Sequence, residues 1–305
     1  MDSDLLLDAA RDGPEAFADA LSDDGDARHE LATALRDRAE SDPAAVANAL
    51  AGLAPLLDDD RDSTRLLAAK TYLAVAEADP EAVPTGPLED ALDDEFYYVR
   101  ARAVQALGRV ARASGEVDPS LLARLLNGLE LEREESRERY AGALADCALA
   151  DPSALRTLVP DIAEALDDDS AVVRYHLTTA LAAVARVEPA RVAVVTDALE
   201  ACLGDEEPYV AGRAAEALGD AGVAVDMDAV AVAEDDADGD ADDEALAFRD
   251  ERVAVATGDT EGRDLPAVAE GHDAAAAAVA TPDDPVDPAL PPGHPGGLGG
   301  PGDPA

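Results

Sequence analysis

Apolar and polar positions follow the spacing of amphipathic helices over the first three-quarters of the chain. In the stretch 170–187, apolar residues stand at positions 173, 177, 181 and 184, which places them on one helix face. Acidic residues followed by proline separate many of these stretches, and proline suits the first turn of a helix. No strand-like alternation of comparable length occurs before residue 222. We therefore predict helices throughout this region.

The helical pattern repeats with a period of about 37 residues. A mostly leucine position preceded by a small residue returns at intervals of 37, 35, 37, 37 and 37, at Leu35, Tyr72, Leu107, Leu144, Leu181 and Leu218. Further columns hold leucine at 57, 92, 129, 166 and 203, and arginine at 28, 65, 100, 137 and 174. A two-helix unit cannot bury its apolar face alone, so neighbours must stack. We predict an all-α fold, an α-solenoid of about six helical hairpins over residues 1–222.

The repeat resembles the HEAT family, including its phycobilin-lyase-like (PBS-lyase-like) members. The matching motif is Leu-Asp-Asp, then Val-Arg, then Ala-Leu, at 166–168, 173–174 and 180–181, and again at 92–94, 99–100 and 106–107. The resemblance implies that a turn aspartate and the arginine column bridge neighbouring repeats, and the matching acids are Asp59, Asp94, Asp168 and Asp205. The fourth unit departs from the motif with Leu131 at the aspartate position, and the sixth has Ala211 in place of arginine. No feature of the sequence supports a chromophore partner.

The composition changes after Gly222. Residues 223–305 contain 21 acidic and 3 basic residues, and such a segment buries too little apolar surface to offset its ordering entropy. We predict a disordered, acidic, Pro/Gly-rich tail over 223–305, with short helices near 226–233 and 242–256. The run 274–278 has helix propensity but little reason to pack. The tail is interpreted either as a solubilising spacer or as an acidic element for a basic partner.

The net charge excludes several classes of function. With 23 Lys and Arg against 68 Asp and Glu, the charge is -45, which argues against nucleic-acid binding and against an anionic membrane surface. The sequence has no run of 18 consecutive apolar residues, so no transmembrane helix is predicted. The acidic start of the chain is unlike a secretory signal, and Cys147 and Cys202 are expected to be buried free thiols. These features favour a cytoplasmic protein.

The same composition resembles that of halophilic (salt-loving) microorganisms, and it yields a first testable prediction. Lys70 is the only lysine, and a charge of -45 repels itself in dilute buffer. At about 1 M salt the Debye length falls to roughly 3 Å, which screens that repulsion. We expect thermal unfolding to occur at a clearly higher temperature in molar KCl than in dilute buffer. Identical melting curves in the two conditions would contradict the prediction.

Catalytic motifs are not evident in the sequence. His29-Glu30 is similar to one of the His-Glu pairs with which HEAT-repeat deoxyhypusine hydroxylases bind iron, but that chemistry needs several such pairs and this chain has one. A Cys147–His176 nucleophile pair has nothing to orient it. We therefore expect no enzyme activity, no catalytic residues, no metal and no cofactor.

A basic stripe is the candidate binding site. The polar face of each second helix is found by counting from the arginine column, and the resemblance to HEAT repeats implies that this face lines the concave surface of the solenoid. We call the basic and polar residues of this stripe the groove ladder: Arg102, Gln105, Arg109, Arg112, Arg139, His176 and Arg213. Two interpretations stay open. The arginines either pair with acidic turns and acidic neighbours such as Asp146 and Glu216, or they hold an extended acidic segment, which could be the tail of the same chain.

The sequence as a whole favours a non-enzymatic scaffold or adaptor. Such a protein would hold a protein partner, for example an acidic extended segment, in the groove of the third to sixth units. The alternative is a regulatory or lyase-like accessory subunit of a larger enzyme assembly. The fold by itself does not decide between them, because solenoids of this kind serve many functions.

Overall fold

The computed structural model describes residues 3–21, 23–230, 243–258, 267–269 and 271–279. Within these ranges the chain forms helices and turns and contains no strand. The α-helices are α1 (Ser3–Arg11), α2 (Pro14–Ala20), α3 (Gly25–Ser41), α4 (Pro43–Ala47), α5 (Asp62–Ala78), α6 (Gly86–Ala91), α7 (Tyr97–Ser114), α8 (Pro119–Gly128), α9 (Glu134–Ala150), α10 (Val159–Glu164), α11 (Ala171–Val187), α12 (Pro189–Val192), α13 (Thr196–Cys202), α14 (Pro208–Asp220), α15 (Asp243–Ala256) and α16 (His272–Val279). Short 3₁₀ helices span Leu50–Leu56, Pro80–Ala82, Pro152–Leu155 and Ala165–Asp167.

The long helices pack in chain order. Each of α3, α5, α7, α9, α11 and α14 lies against the next, and shorter helices such as α6, α8 and α13 cover the long helix that follows them. As predicted, the acidic-Pro pairs open new helices, since Pro43, Pro80, Pro152 and Pro189 are each a first helical residue. The predicted α-solenoid is confirmed.

The 37-residue register is also confirmed by burial. All six residues of the leading column, from Leu35 to Leu218, are buried, and Leu107, Leu144 and Leu181 belong to one continuous core. Because each lies where two successive helices meet, burying a leucine there contributes about 1.5–3 kcal/mol relative to exposing it. The repeat therefore holds together through contacts between neighbouring units, as the stacking argument requires.

Arginine–aspartate pairs join successive repeats. They are Arg28–Asp59, Arg65–Asp94 (2.7 Å), Arg137–Asp168 (2.6 Å) and Arg174–Asp205 (2.6 Å). In the last three pairs, Nε and Nη2 each donate to one carboxylate oxygen, the bidentate geometry that makes such bonds strong. Each aspartate also accepts a bond from the backbone N–H two residues later, at 2.7–3.0 Å. One carboxylate thus fixes both the turn and the joint, as the resemblance implied.

The joint at Leu131 uses other contacts. Arg100 donates to the carbonyl oxygens of Asp94 at 2.6 Å and Glu95 at 3.0 Å within its own repeat, as the other column arginines do, and across the joint it interacts with the Tyr140 hydroxyl. Arg124 of α8 also makes two hydrogen bonds to Asp93, at 2.6 and 2.9 Å. The Arg100–Tyr140 and Arg124–Asp93 contacts connect the third and fourth repeats where the aspartate of the motif is missing.

Packed helix continues beyond Gly222. Helix α15 lies along α14 in the same direction, because Gly212 lies against Arg249 and Gly219 against Ala256, each pair 37 residues apart. The sequence predicted a helix near 242–256 but placed it in the tail. Residues 226–230 form a turn rather than the start of a helix. The remainder of the predicted disordered tail, 231–242, 259–266, 270 and 280–305, lies outside the described residues.

Helix α16 contains the alanine run that was expected not to pack. That expectation is wrong, because α16 lies against α11 and buries one face there. The buried residues are His272, Ala275 and Val279, at positions i, i+3 and i+7 of one helix face. The packing partner is the same surface that carries the groove ladder.

Candidate functional site

The groove ladder lies on four successive long helices, α7, α9, α11 and α14. Arg102 and Gln105 form a hydrogen bond to each other, from Nη1 to Oε1 at 2.7 Å. Arg139 lies on α9 near His176, and the remaining four members face the described residues between 267 and 279, here called the C-terminal segment. Arg109, Arg112, His176 and Arg213 all contact this segment.

The first part of the site is a carboxylate clamp. Arg109 and Arg112 point one Nη1 atom each towards Asp146 of α9, at 3.3 and 3.2 Å. The same two atoms contact Asp273 of α16, at 3.4 and 2.7 Å. Asp146 is 5% exposed, and burial raises its pKa although the two arginines lower it. Two cations and one fixed anion leave a surplus positive charge, which Asp273 neutralises.

The second part is a ring platform on α11. The imidazole of His272 stacks on Tyr175, with centroids 5.5 Å apart and planes inclined by 11°. The Tyr175 hydroxyl lies 3.3 Å from His272 Nδ1 and donates to the His272 carbonyl oxygen at the same distance. His176 meets the His272 ring edge-on at 5.5 Å. Burial first, and then nearby Arg109 and Arg139, lower the pKa of His176 to about 4.

The third part is a buried charge cluster around Arg213. This side chain is 0% exposed, because Phe248 of α15 and the C-terminal segment cover it. Its Nη1 donates to Glu216 at 2.7 Å and its Nη2 to the Val268 carbonyl oxygen at 2.9 Å. Arg252 and Arg186 also bind Glu216, at 3.1 and 2.6 Å. Arg213 was expected to be an exposed groove residue, whereas the structure buries it completely.

Both interpretations of the arginine stripe therefore describe real contacts. The acidic neighbours named from the sequence, Asp146 and Glu216, do pair with ladder arginines. The C-terminal segment binds the same arginines through Asp273 and the Val268 carbonyl oxygen. The internal pairs keep the ladder in place, and the segment shares the Nη1 atoms of Arg109 and Arg112 with Asp146 and takes Nη2 of Arg213.

Four residues of the site were not predicted from the sequence to belong to it. Tyr175 lies one position before His176 and was not included in the groove ladder. His272 and Asp273 were placed in the tail, although an acid in the first turn before an alanine run is a sign of a helix start. Arg252 reaches the site because α15 continues the repeat, and the leading column does recur there as Ala254-Val255, 37 residues after Ala217-Leu218.

The two cysteines occupy the core. Cys147 and Cys202 are free and buried, as predicted, and burial raises the pKa of each thiol to about 12. A thiol of this kind stays protonated near neutral pH and is a poor nucleophile. Among the described residues, no group of three or more His, Cys, Asp or Glu is arranged to hold a metal ion. None of the helices described here has the length and apolarity needed to span a membrane.

Solved structures of similar fold include designed repeat proteins. An engineered protein from a structural-genomics consortium matches with a TM-score of 0.59 at 18% identity, over 73% of this chain and 97% of its own. A designed armadillo repeat protein matches at 0.59 and 20% identity, over 71% of this chain and 98% of its own. A computationally designed armadillo repeat protein for modular peptide recognition matches at 0.58 and 20%, with the same coverage. No protein-family model and no curated protein sequence matches the chain. At these identities the likeness shows the fold, a helical-repeat α-solenoid.

Proposed function

We propose that this chain is a non-enzymatic, HEAT-like scaffold or adaptor that binds an acidic segment of a protein partner on the groove ladder. The proposed setting is the cytoplasm of a cell with molar internal salt, because a charge of -45 needs strong screening. Arg109 and Arg112 supply charged donors for a carboxylate, and Arg213 supplies a donor for a backbone carbonyl. A peptide offers both kinds of acceptor.

The observation that carries this proposal is that the ladder already holds a peptide segment. Within the C-terminal segment, Val268 offers a carbonyl oxygen, His272 offers a flat ring and Asp273 offers a carboxylate. None of these three features is peculiar to an intramolecular contact. A solenoid of similar fold designed for peptide recognition agrees with a peptide-binding use of such a surface.

The test is a binding titration with a fluorescent peptide of the sequence 267–279, in 1 M KCl. The receptor is the full chain carrying Asp273→Asn, which weakens the competing contact of its own segment. We expect saturable binding, and at least tenfold weaker binding when Arg109→Ser and Arg112→Ser are added, because two charge-assisted hydrogen bonds are lost. The readout is fluorescence anisotropy.

The matched control removes two other arginines. Arg156 and Arg191 are exposed and lie outside the ladder, so the pair Arg156→Ser and Arg191→Ser changes the net charge equally. This receptor should bind the peptide within about twofold of its parent, since exposed single charges contribute little. Equal affinities for both double variants, or no saturation up to about 1 mM peptide, would overturn the proposed function.

A further inference from the structure

Three anchor points hold the C-terminal segment in the ladder. The Val268 carbonyl oxygen binds Arg213 at 2.9 Å, the His272 ring stacks on Tyr175, and the Asp273 carboxylate binds Arg112 at 2.7 Å. The partners of these anchors lie on α14, α11 and α7, so the segment crosses the long helices and does not extend a single repeat. It thus occupies the position of a ligand, whereas α15 occupies the position of a further repeat.

The anchors define a short recognition pattern. His272 and Asp273 are adjacent, and the buried face continues with Ala275 and Val279. The pattern is a flat ring, an acid in the next position, a small residue at i+3 and an aliphatic residue at i+7. It describes the first two turns of a helix with an acid at its positive end. An extended acidic strand would not place these residues on one face.

A partner could replace the C-terminal segment on the groove ladder. An eight-residue helix is marginal in water by itself, so α16 depends on the ladder for its structure. Only eight residues, 259–266, connect the described parts on either side. A connection this short gives the segment an effective concentration of the order of millimolar. A partner therefore has to bind the ladder more tightly than the free segment would, or bind under conditions that weaken the docking of the segment.

We propose that the C-terminal segment is a built-in competitor that closes the groove ladder in cis, and that the partner is a helix beginning with the same ring–acid pair. The proposal rests on the proposed function, because it assumes that the ladder binds a peptide in trans. It adds the identity of the resting occupant and the chemistry of the segment that displaces it.

Histidine makes the closed state sensitive to pH. His272 faces Tyr175 and His176 of α11, Arg109 and Arg112 of α7, and Arg213 of α14, with Asp273 beside it and Asp146 beyond. Burial first, then His176 and the arginines, lower its pKa from 6.5 to about 2. A docked His272 thus stays neutral where a released one takes up a proton. Docking is therefore strongest about one pH unit or more above 6.5, and it weakens by up to about tenfold for each pH unit below 6.5.

Hydrogen exchange of the α16 amides in the full chain measures this equilibrium, with the free 267–279 peptide as the reference for intrinsic exchange. In 1 M KCl at pH 7.5, we expect Asp273→Asn to reduce protection by about tenfold or more, because the clamp loses its charged acceptor. Glu200→Gln, the same charge change at an exposed position of α13, should leave protection unchanged. At pH 5.5 the protection of the unaltered chain should fall by about tenfold.

His272→Phe keeps a flat ring on Tyr175 but takes up no proton. This variant should stay protected and lose most of the pH dependence, and the share that remains belongs to His176. An excess of the 267–279 peptide carrying His272→Phe should deprotect the segment of the unaltered chain. Fragments of the peptide and of the chain differ in mass at this position, so the exchange of the chain's own segment can be measured separately.

The outcomes separate the two proposals. If the peptide binds at the ladder while the chain's own segment stays protected, the segment is no competitor and the inference is overturned, although the proposed function stands. If Asp273→Asn deprotects the segment but no peptide binds in trans, the contact is purely structural and both proposals fall. If neither Asp273→Asn nor excess peptide changes the hydrogen-exchange protection of α16, the segment does not close the ladder.

Discussion

Replacing Glu216 by Gln is expected to lower the free energy of unfolding by about 3–5 kcal/mol. Glu216 is 1% exposed and is the common partner of Arg186, Arg213 and Arg252. Without its charge, the buried guanidinium groups of Arg213 and Arg252 face each other uncompensated. Breaking a buried ion pair on one side costs far more than the pair contributes, because the remaining charge has already lost its water.

Urea unfolding followed by far-UV circular dichroism, at a constant 2 M KCl, measures this loss. Glu200→Gln on α13 is the control, since it removes one exposed carboxylate and should stay within about 0.5 kcal/mol of the unaltered chain. A Glu216→Gln variant no less stable than the control would mean that the cluster is hydrated and that the sixth repeat does not depend on it.

Gly128→Ala and Gly142→Ala are expected to change stability in opposite directions. A Cβ on Gly128, at the end of α8, would lie 1.9 Å from Cδ1 of Tyr140, a ring that is itself buried. The ring has to leave its place, and overpacking of this kind costs about 1–3 kcal/mol. A Cβ on Gly142, within α9, would meet nothing closer than His176 Nε2 at 3.4 Å. Alanine there gains about 0.5–1 kcal/mol of helix propensity.

The same urea titration compares the two variants, and each serves as the other's control, because both add one methyl group in place of a glycine hydrogen. The expected gap between them is about 1.5–4 kcal/mol. Two variants of equal stability would show that Tyr140 moves aside freely, which would also question the contacts that replace the missing aspartate at Leu131.

The repeat architecture could be predicted because its physical cause is local and recurs. Leu107, Leu144 and Leu181 return at a fixed interval, and a buried seam forms wherever two copies of that register meet. The bridging pairs, such as Arg137–Asp168, were accessible through the resemblance, since both partners stand at fixed places in the motif. Extending the column to Ala254-Val255 would also have located α15.

The residues that cover the groove ladder could not be predicted in the same way. A helical offset assigns Arg213 to a face, but it does not say whether Phe248 and the Val268 carbonyl will cover that face. Asp273 lies 161 residues after Arg112 and 164 after Arg109, and no pattern within either helix connects them. Composition alone placed His272 in a tail, because an alanine-rich run has little apolar surface of its own.

The sequence by itself determined a stack of helical pairs and the side on which the basic residues gather, because repetition encodes contacts between neighbours. Only the tertiary structure decided that the basic side is closed by the chain's own C-terminal segment. That contact depends on where Val268 to Val279 return in space. It also depends on the positive charge of Arg109 and Arg112 that Asp146 leaves unbalanced, which becomes apparent only once α7 and α9 are side by side.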